Sequence, residues 1–145
     1  MMKKTMIAVA MLCLSPALAQ ANVIPELLET YKSQGASNFS AKAGQEMWTQ
    51  VIPFEKKGEM MKDRSCATCH NAVPNTVGKH KKTGKEIAAM TLTAFSINKR
   101  TGEQEKRYST VKKVEKWFKR NCKWTYGRVC TPQEKGDFLM FFKGL

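Results

Sequence analysis

The sequence predicts an all-α domain of four or five helices. Apolar residues recur at helical spacing in several segments, and no segment shows a convincing strand-like alternation of apolar and polar residues. Caps and breakers flank the helical segments. The chain has 145 residues, with no internal repeat and no low-complexity block. This length suits one domain with one core.

The first two predicted helices lie in the N-terminal third of the chain. The first begins near Pro25 and ends near Gly35, with an apolar face of Ile24, Leu27, Leu28 and Tyr31. The second begins about Ser40, its expected N-cap, and is expected to end at Pro53. Its apolar stripe is Ala43, Met47, Trp48 and Val51. Residues 56–65 are polar and lead into a cysteine motif.

The middle of the chain is predicted to consist mainly of loops. Breakers and a basic cluster follow residue 70, residues 87–95 form a short apolar run, and the charged segment 98–106 predicts an exposed turn. The breakers are Pro74, Gly78 and Gly84, and the basic cluster consists of Lys79, Lys81, Lys82 and Lys85.

Two helices are predicted in the C-terminal third. One covers about 109–120, with Val111, Val114, Trp117 and Phe118 on one face. The last begins with an N-cap threonine, a first-turn proline and a capping-box glutamate, which are Thr131, Pro132 and Glu134. Its buried stripe is Phe138, Leu139 and Phe142. Gly44 would allow the second helix to cross this last helix closely.

Residues 1–21 predict a cleaved secretory signal peptide. Lys3 and Lys4 precede an apolar run over 6–14, and small residues allow cleavage after Ala19 or Ala21. The apolar run is shorter than the roughly 20 residues that a membrane-spanning helix needs. We therefore expect export to a bacterial periplasm, a mature domain of residues 22–145, and no membrane span in that domain.

Cys66-Ala67-Thr68-Cys69-His70 is a C-x-x-C-H sequence, which predicts covalent attachment of one haem c. The two thiols can form thioethers with the haem vinyl groups, and His70 can then reach the iron as the proximal ligand. A thioredoxin-like redox pair would need a βαβ setting, and a structural zinc site would need a second ligand pair. Export, helical content and the terminal histidine favour haem.

The cysteines outside the haem motif reduce to one pair. Cys13 leaves with the signal peptide, so that Cys122 and Cys130 remain and can form a disulfide in an oxidising compartment.

Spacing in the sequence does not determine which residue binds the opposite side of the iron. An electron-carrying cytochrome c places a methionine there, and Met90, which lies 20 residues after His70, is the default candidate. The other candidates are less suitable. They are Met60 and Met61 just before the motif, Met140 among aromatic residues, and His80 among lysines.

The segments 113–122 and 127–137, together with Thr83-Gly84-Lys85-Glu86-Ile87-Ala88, closely resemble the sphaeroides-haem-protein family of c-type cytochromes. The resemblance spans roughly 65–142. It implies a class I cytochrome c fold of four to five helices around one covalently bound haem, with Asn121 as the distal iron ligand and a Cys122–Cys130 disulfide. Segment 93–106 departs from the family pattern, so its structure does not follow from the resemblance.

The chemistry of an asparagine ligand can be considered independently of the family. A neutral amide is a weak iron ligand that can yield its position to a small molecule and then donate a hydrogen bond to it. Without the resemblance, the sequence favours Asn121 as a cap at the end of the preceding helix, because asparagine is common at helix ends. The resemblance reverses this preference.

Together these features predict a periplasmic monohaem cytochrome that accepts electrons from a redox partner and binds O₂, NO or CO where Asn121 yields. The alternative is a plain His/Met electron carrier without ligand-binding chemistry. Enzymatic O₂ reduction or NO oxidation is left open. The net charge of +13 falls to about +11 without Lys3 and Lys4. This charge suits docking onto an acidic partner, either another c-type cytochrome or a membrane cytochrome, and it suits a generally soluble basic surface equally well. Export argues against nucleic acid.

Overall fold

The computed structural model describes residues 22–56, 58–98 and 100–145. The predicted signal peptide, residues 1–21, lies outside the described residues. The helices, in chain order, are α1 (Ile24–Ser33), α2 (Ala41–Thr49), α3 (Ala67–His70), α4 (Val111–Tyr126) and α5 (Pro132–Lys143). The strands are β1 (Ile52–Lys56), β2 (Glu59–Arg64), β3 (Gly78–Lys79), β4 (Glu86–Ile87), β5 (Phe95–Ile97) and β6 (Gln104–Lys106).

The strands form three antiparallel hairpins, β1–β2, β3–β4 and β5–β6. The prediction of an all-α domain is therefore correct for the helices and wrong for these connecting segments. In β2, residues 59–63 are all exposed, so burial imposes no alternation of apolar and polar residues on this strand. Arg64 instead fastens the first hairpin to α4. Its guanidinium lies 3.1 Å from the centre of the Phe54 ring, and its Nη1 donates to the Trp124 carbonyl over 2.7 Å.

The first two helices begin as predicted. α1 buries Ile24, Leu27 and Tyr31. The Ser40 side chain caps α2 by accepting a hydrogen bond from the backbone of Ala43. α2 ends at Thr49 rather than at Pro53, so Val51 lies outside the helix and is 60% exposed. The chain enters β1 directly after this point, which removes Val51 from the expected apolar stripe.

α4 continues past its predicted end at 120 and stops at Tyr126. Gly127 terminates it in the left-handed conformation with φ of +70°, which glycine adopts at low cost. Asn121 therefore lies inside the helix, and its interpretation as a helix cap is wrong.

α5 begins with the predicted capping box of Thr131 and Glu134. Phe138, Leu139 and Phe142 are buried as expected, and Trp48 from α2 packs edge-on against Phe138 and Phe142. No helix among the described residues is long and apolar enough to cross a membrane.

The crossing of α2 and α5 is as close as Gly44 predicts. A Cβ atom at this position would lie 2.2 Å from the Asp137 carbonyl oxygen and 3.0 Å from the Phe138 nitrogen. Both are backbone atoms of a buried helix, so they can yield only if the helices move apart. Gly44 is therefore required for the packing that brings Trp48 onto α5.

We expect Gly44→Ala to lower the free energy of unfolding by roughly 1–3 kcal/mol or more, as overpacking does in a tight core. Urea denaturation of the haem-loaded protein measures this loss. Gly144→Ala is a matched control, because its nearest non-neighbouring atom would lie 3.5 Å away and its φ is −84°. Equal stability of the two variants would contradict the close crossing.

Candidate functional site

The C-x-x-C-H motif occupies α3 and the residue before it. Ser65 and Thr68 bracket its start, since their hydroxyls lie 2.9 Å apart and each accepts a hydrogen bond from the other's backbone nitrogen. The backbone nitrogens of Cys69 and His70 both donate to the Cys66 carbonyl. This turn places residues three apart on neighbouring positions of one helical face.

The two thiols of the motif are free and half-buried. The Cys66 sulfur lies 3.8 Å from the Thr125 hydroxyl oxygen of α4. Burial raises the pKa of the Cys66 thiol, and hydrogen bonding with Thr125 and Tyr126 lowers it in part. Two unpaired thiols on one turn beside a histidine are the donor set that haem c requires, so these residues fit that group.

The imidazole of His70 is held by α2. The Trp48 ring lies 5.2 Å from the His70 ring, centre to centre, and Trp48 Nε1 donates to the Asn71 carbonyl over 2.8 Å. Burial lowers the pKa of His70 to about 4, with the cations of Arg107 and Arg120 as smaller causes. The ring is therefore neutral at physiological pH, which is the form that coordinates metal ions.

Gly78 on β3 packs directly against the motif. A Cβ atom here would lie 2.3 Å from the Cys69 carbonyl oxygen and 2.9 Å from the His70 Cα. The close approach fixes the position of α3 against the β3–β4 hairpin. The hairpin also carries the exposed basic cluster of Lys79, Lys81, Lys82 and Lys85, so positive charge adjoins the motif.

Gly78→Ala is expected to displace α3, because both contacted atoms belong to the backbone of the motif. We expect a smaller fraction of chains with attached haem and a loss of about 1–3 kcal/mol in the free energy of unfolding. Haem content per chain and urea denaturation measure the two effects. Lys79→Ala, at the exposed neighbouring position, is the control and should match wild type. Full haem content and stability in Gly78→Ala would contradict this packing.

Asn121 lies in α4, half-buried, one turn before Thr125. Residues four apart share a helix face, and Thr125 contacts the Cys66 sulfur, so Asn121 lies on the face of α4 that borders the haem motif. The next residue, Cys122, is buried and joined to Cys130 in a disulfide. The main chain beside Asn121 is thus tied to the start of α5.

The other candidate ligands are placed differently. The Met90 sulfur accepts hydrogen bonds from Arg107 Nη2 over 2.7 Å and Arg107 Nε over 3.1 Å. Met60 and Met61 lie on β2 and are 68% and 46% exposed. Met140 is half-buried in α5. His80 is exposed, and its Nδ1 lies 3.1 Å from the Thr83 hydroxyl oxygen.

Three residues at the site were missed from the sequence. Thr125 contacts Cys66, and Tyr126 donates to the Met47 carbonyl over 2.7 Å, linking α4 to α2. For Thr125 the available signal is its position four residues after Asn121, on the same helix face. The third residue, Arg107, is only 9% exposed, and nothing in its charged sequence neighbourhood distinguishes it.

A C-x-x-C-H motif on a short helix, enclosed by longer helices from both ends of the chain, defines the class of c-type cytochromes. Residues 34–142 match the model of a family described as a domain of unknown function, DUF1924. The chain is also 32% identical, over 124 residues, to the cytochrome c-type protein SHP of Cereibacter sphaeroides, covering 86% of this chain and 85% of that protein. The chain belongs to this family, that of the sphaeroides haem protein.

A second relative and two solved structures agree with this assignment. Cytochrome c'' of Methylophilus methylotrophus is 36% identical over 80 residues, which cover 55% of this chain and about half, 49%, of that protein. The structure of oxidised SHP, described as an oxygen-binding cytochrome c, has a TM-score of 0.64 at 28% identity and covers 84% of this chain and 96% of that one. Oxidised cytochrome c'' has a TM-score of 0.63 at 25% identity, covering 82% and 91%. These relatives imply covalently bound haem c.

Proposed function

We propose that this chain is an exported monohaem cytochrome c whose distal ligand, Asn121, is labile and yields its position to a diatomic ligand. Cys66 and Cys69 hold the haem through thioethers, and His70 is the proximal iron ligand. When bound, the haem supplies one-electron redox chemistry and a sixth coordination position. The observation that carries the proposal is the position of Asn121 on the face of α4 that borders the motif.

His70 is suited to the proximal role by its surroundings. Trp48 packs beside its ring and also donates to the carbonyl of the following residue, Asn71. The imidazole therefore has little freedom to turn, and its lowered pKa keeps it unprotonated. A permanent ligand benefits from both properties.

Asn121 is suited to the role of a labile distal ligand, which a diatomic molecule can displace. Its amide is a weak donor to iron, and the structure records no hydrogen bond from this side chain to any other described residue. The disulfide at Cys122 restrains the main chain, so that the side chain can move while its helix stays in place. A displaced amide can then donate a hydrogen bond to the incoming ligand.

The alternative of a His/Met electron carrier depends on Met90. Two nitrogens of a buried arginine already donate to its sulfur, and ligation would require Met90 to leave this partner. The known properties of two relatives also favour ligand exchange. SHP is described as oxygen-binding, and a solution structure of cytochrome c'' is described in terms of haem-ligand detachment.

Electrons would arrive from a protein partner in the periplasm. The exposed lysines of the β3–β4 hairpin lie beside the motif, where they would attract an acidic partner and speed encounter. Stopped-flow reduction by such a partner should slow steeply as salt is added. A rate indifferent to salt would contradict docking through these lysines.

Ligand binding distinguishes the two functions. The reduced wild-type protein and Met90→Leu should both bind CO and NO, with the change visible in their optical spectra. If Met90 is the ligand, the reduced wild type will show thioether ligation and ignore CO, while Met90→Leu will bind it. That second pattern would overturn the proposal and establish the electron carrier.

A further inference from the structure

Arg107 is a buried cation without an anion. Its side chain is 9% exposed, and it follows β6 directly. Among the described residues, no carboxylate lies within 4.0 Å of its guanidinium, and the sequence has no aspartate or glutamate at 1–21, 57 or 99. Burial lowers the pKa of Arg107, which expresses the cost of keeping this charge away from water.

The partners that the structure gives Arg107 are poor ones. The side chain donates to the Met90 sulfur and is also hydrogen-bonded to the Tyr108 side chain, so its partners are a thioether and a phenol and neither is an anion. A guanidinium offers five donors in a planar fork that matches a carboxylate. Burying such a group without an anion is strongly unfavourable, so a carboxylate from outside the chain is the partner that its chemistry calls for.

Arg107 also lies close to the haem motif. Met90, whose sulfur accepts the hydrogen bonds of Arg107, is itself bound to the loop after the motif. Its backbone nitrogen donates to the carbonyl of Pro74 over 2.7 Å. Pro74 is buried four residues after His70. The cation is thus fixed to the loop that leaves the proximal ligand.

Haem c carries two propionate carboxylates, which could supply this missing anion. We infer that Arg107 is the counter-ion of a haem propionate, with which its guanidinium would form a charge-assisted pair. The inference rests on the proposed haem attachment. The lysines of the β3–β4 hairpin are exposed, so water can solvate their charges and they need no buried anion. Arg120 is also exposed and stacks 4.2 Å from the centre of the Trp117 ring.

The pairing has a consequence for redox equilibrium. Reduction removes one positive charge from the haem, so a nearby cation favours the ferrous state. Arg107→Gln should therefore lower the midpoint potential. A tenfold change in the ferric-to-ferrous ratio, about 59 mV for one electron, is the expected scale.

The test compares haem-loaded Arg107→Gln, Arg107→Lys and Arg120→Gln with wild type. Optical redox titration gives the potential, and the propionate bending mode in the resonance Raman spectrum reports hydrogen bonding to the carboxylates. We expect Arg107→Gln to lower the potential and shift the bending mode. Arg107→Lys should keep most of the potential and still shift the mode, because an ammonium cannot reproduce the two-nitrogen fork.

Arg120→Gln removes the same charge from an exposed site, so it should leave the bending mode unchanged and move the potential much less. An unshifted mode in both Arg107 variants would overturn the inference, as would equal effects from Arg120→Gln. If Arg107→Gln does not fold, the bending mode of Arg107→Lys decides alone. A wild-type chain without attached haem would overturn the proposed function instead, so the two failures are distinguishable.

Discussion

Replacing both Cys66 and Cys69 with serine is expected to abolish covalent haem attachment completely. A serine hydroxyl does not replace the thiol that forms the thioether, and the two positions supply the free thiols of the described chain. The measurement is the mass of the exported, denatured chain, together with haem staining after electrophoresis. We expect the variant to run at the mass of the polypeptide alone.

The matched control is the double variant Cys122→Ser, Cys130→Ser, which removes the disulfide and keeps the motif. It should retain haem after denaturation. Haem that survives denaturation in the Cys66, Cys69 variant, or its loss in the control alone, would contradict the assignment of the four cysteines.

Removal of the disulfide has the second large effect. The bond between Cys122 and Cys130 closes a short loop with a sequence separation of 8. The chain-entropy model assigns such a loop about 2.5 kcal/mol of stability. We expect Cys122→Ala, Cys130→Ala to lose about this amount in urea denaturation. CO should also bind faster, because the main chain beside Asn121 is no longer anchored.

Val129→Ala is the control for this loop, since Val129 lies inside it and is 53% exposed. It should keep both the stability and the rate of CO binding of wild type. Unchanged CO binding in the disulfide-free variant would show that the anchor does not act on Asn121.

The helices could be predicted because their signals are local. Ser40, Thr131 and Pro132 mark helix starts by hydrogen bonding and backbone geometry that involve only a few residues. The hairpins had no such signal. β2 is almost wholly exposed, so no alternation of apolar residues marks it, and Arg64 fastens it through a contact with Trp124, 60 residues away. Contacts at that separation leave no periodic pattern in the sequence.

The candidate site likewise has one part that local sequence signals predict and another that they do not. The proximal half, Cys66 to His70, is one continuous motif whose chemistry follows from spacing. Asn121 lies 51 residues beyond His70, and helix signals alone favoured a cap at this position. Family resemblance was needed to single it out, and the continuation of α4 to Tyr126 then removed the cap interpretation. Arg107 carries no sequence signal, since only burial distinguishes it from the more exposed cations around it.

Asn121→Ala tests the central claim most directly. Optical and EPR spectra of the ferric protein, recorded for wild type and variant with and without NO, report the ligands of the iron. We expect the variant to lose the wild-type ferric spectrum and to bind NO more readily, because alanine cannot occupy the sixth position. An unchanged ferric spectrum in Asn121→Ala would remove this residue from the coordination of the iron and contradict the account.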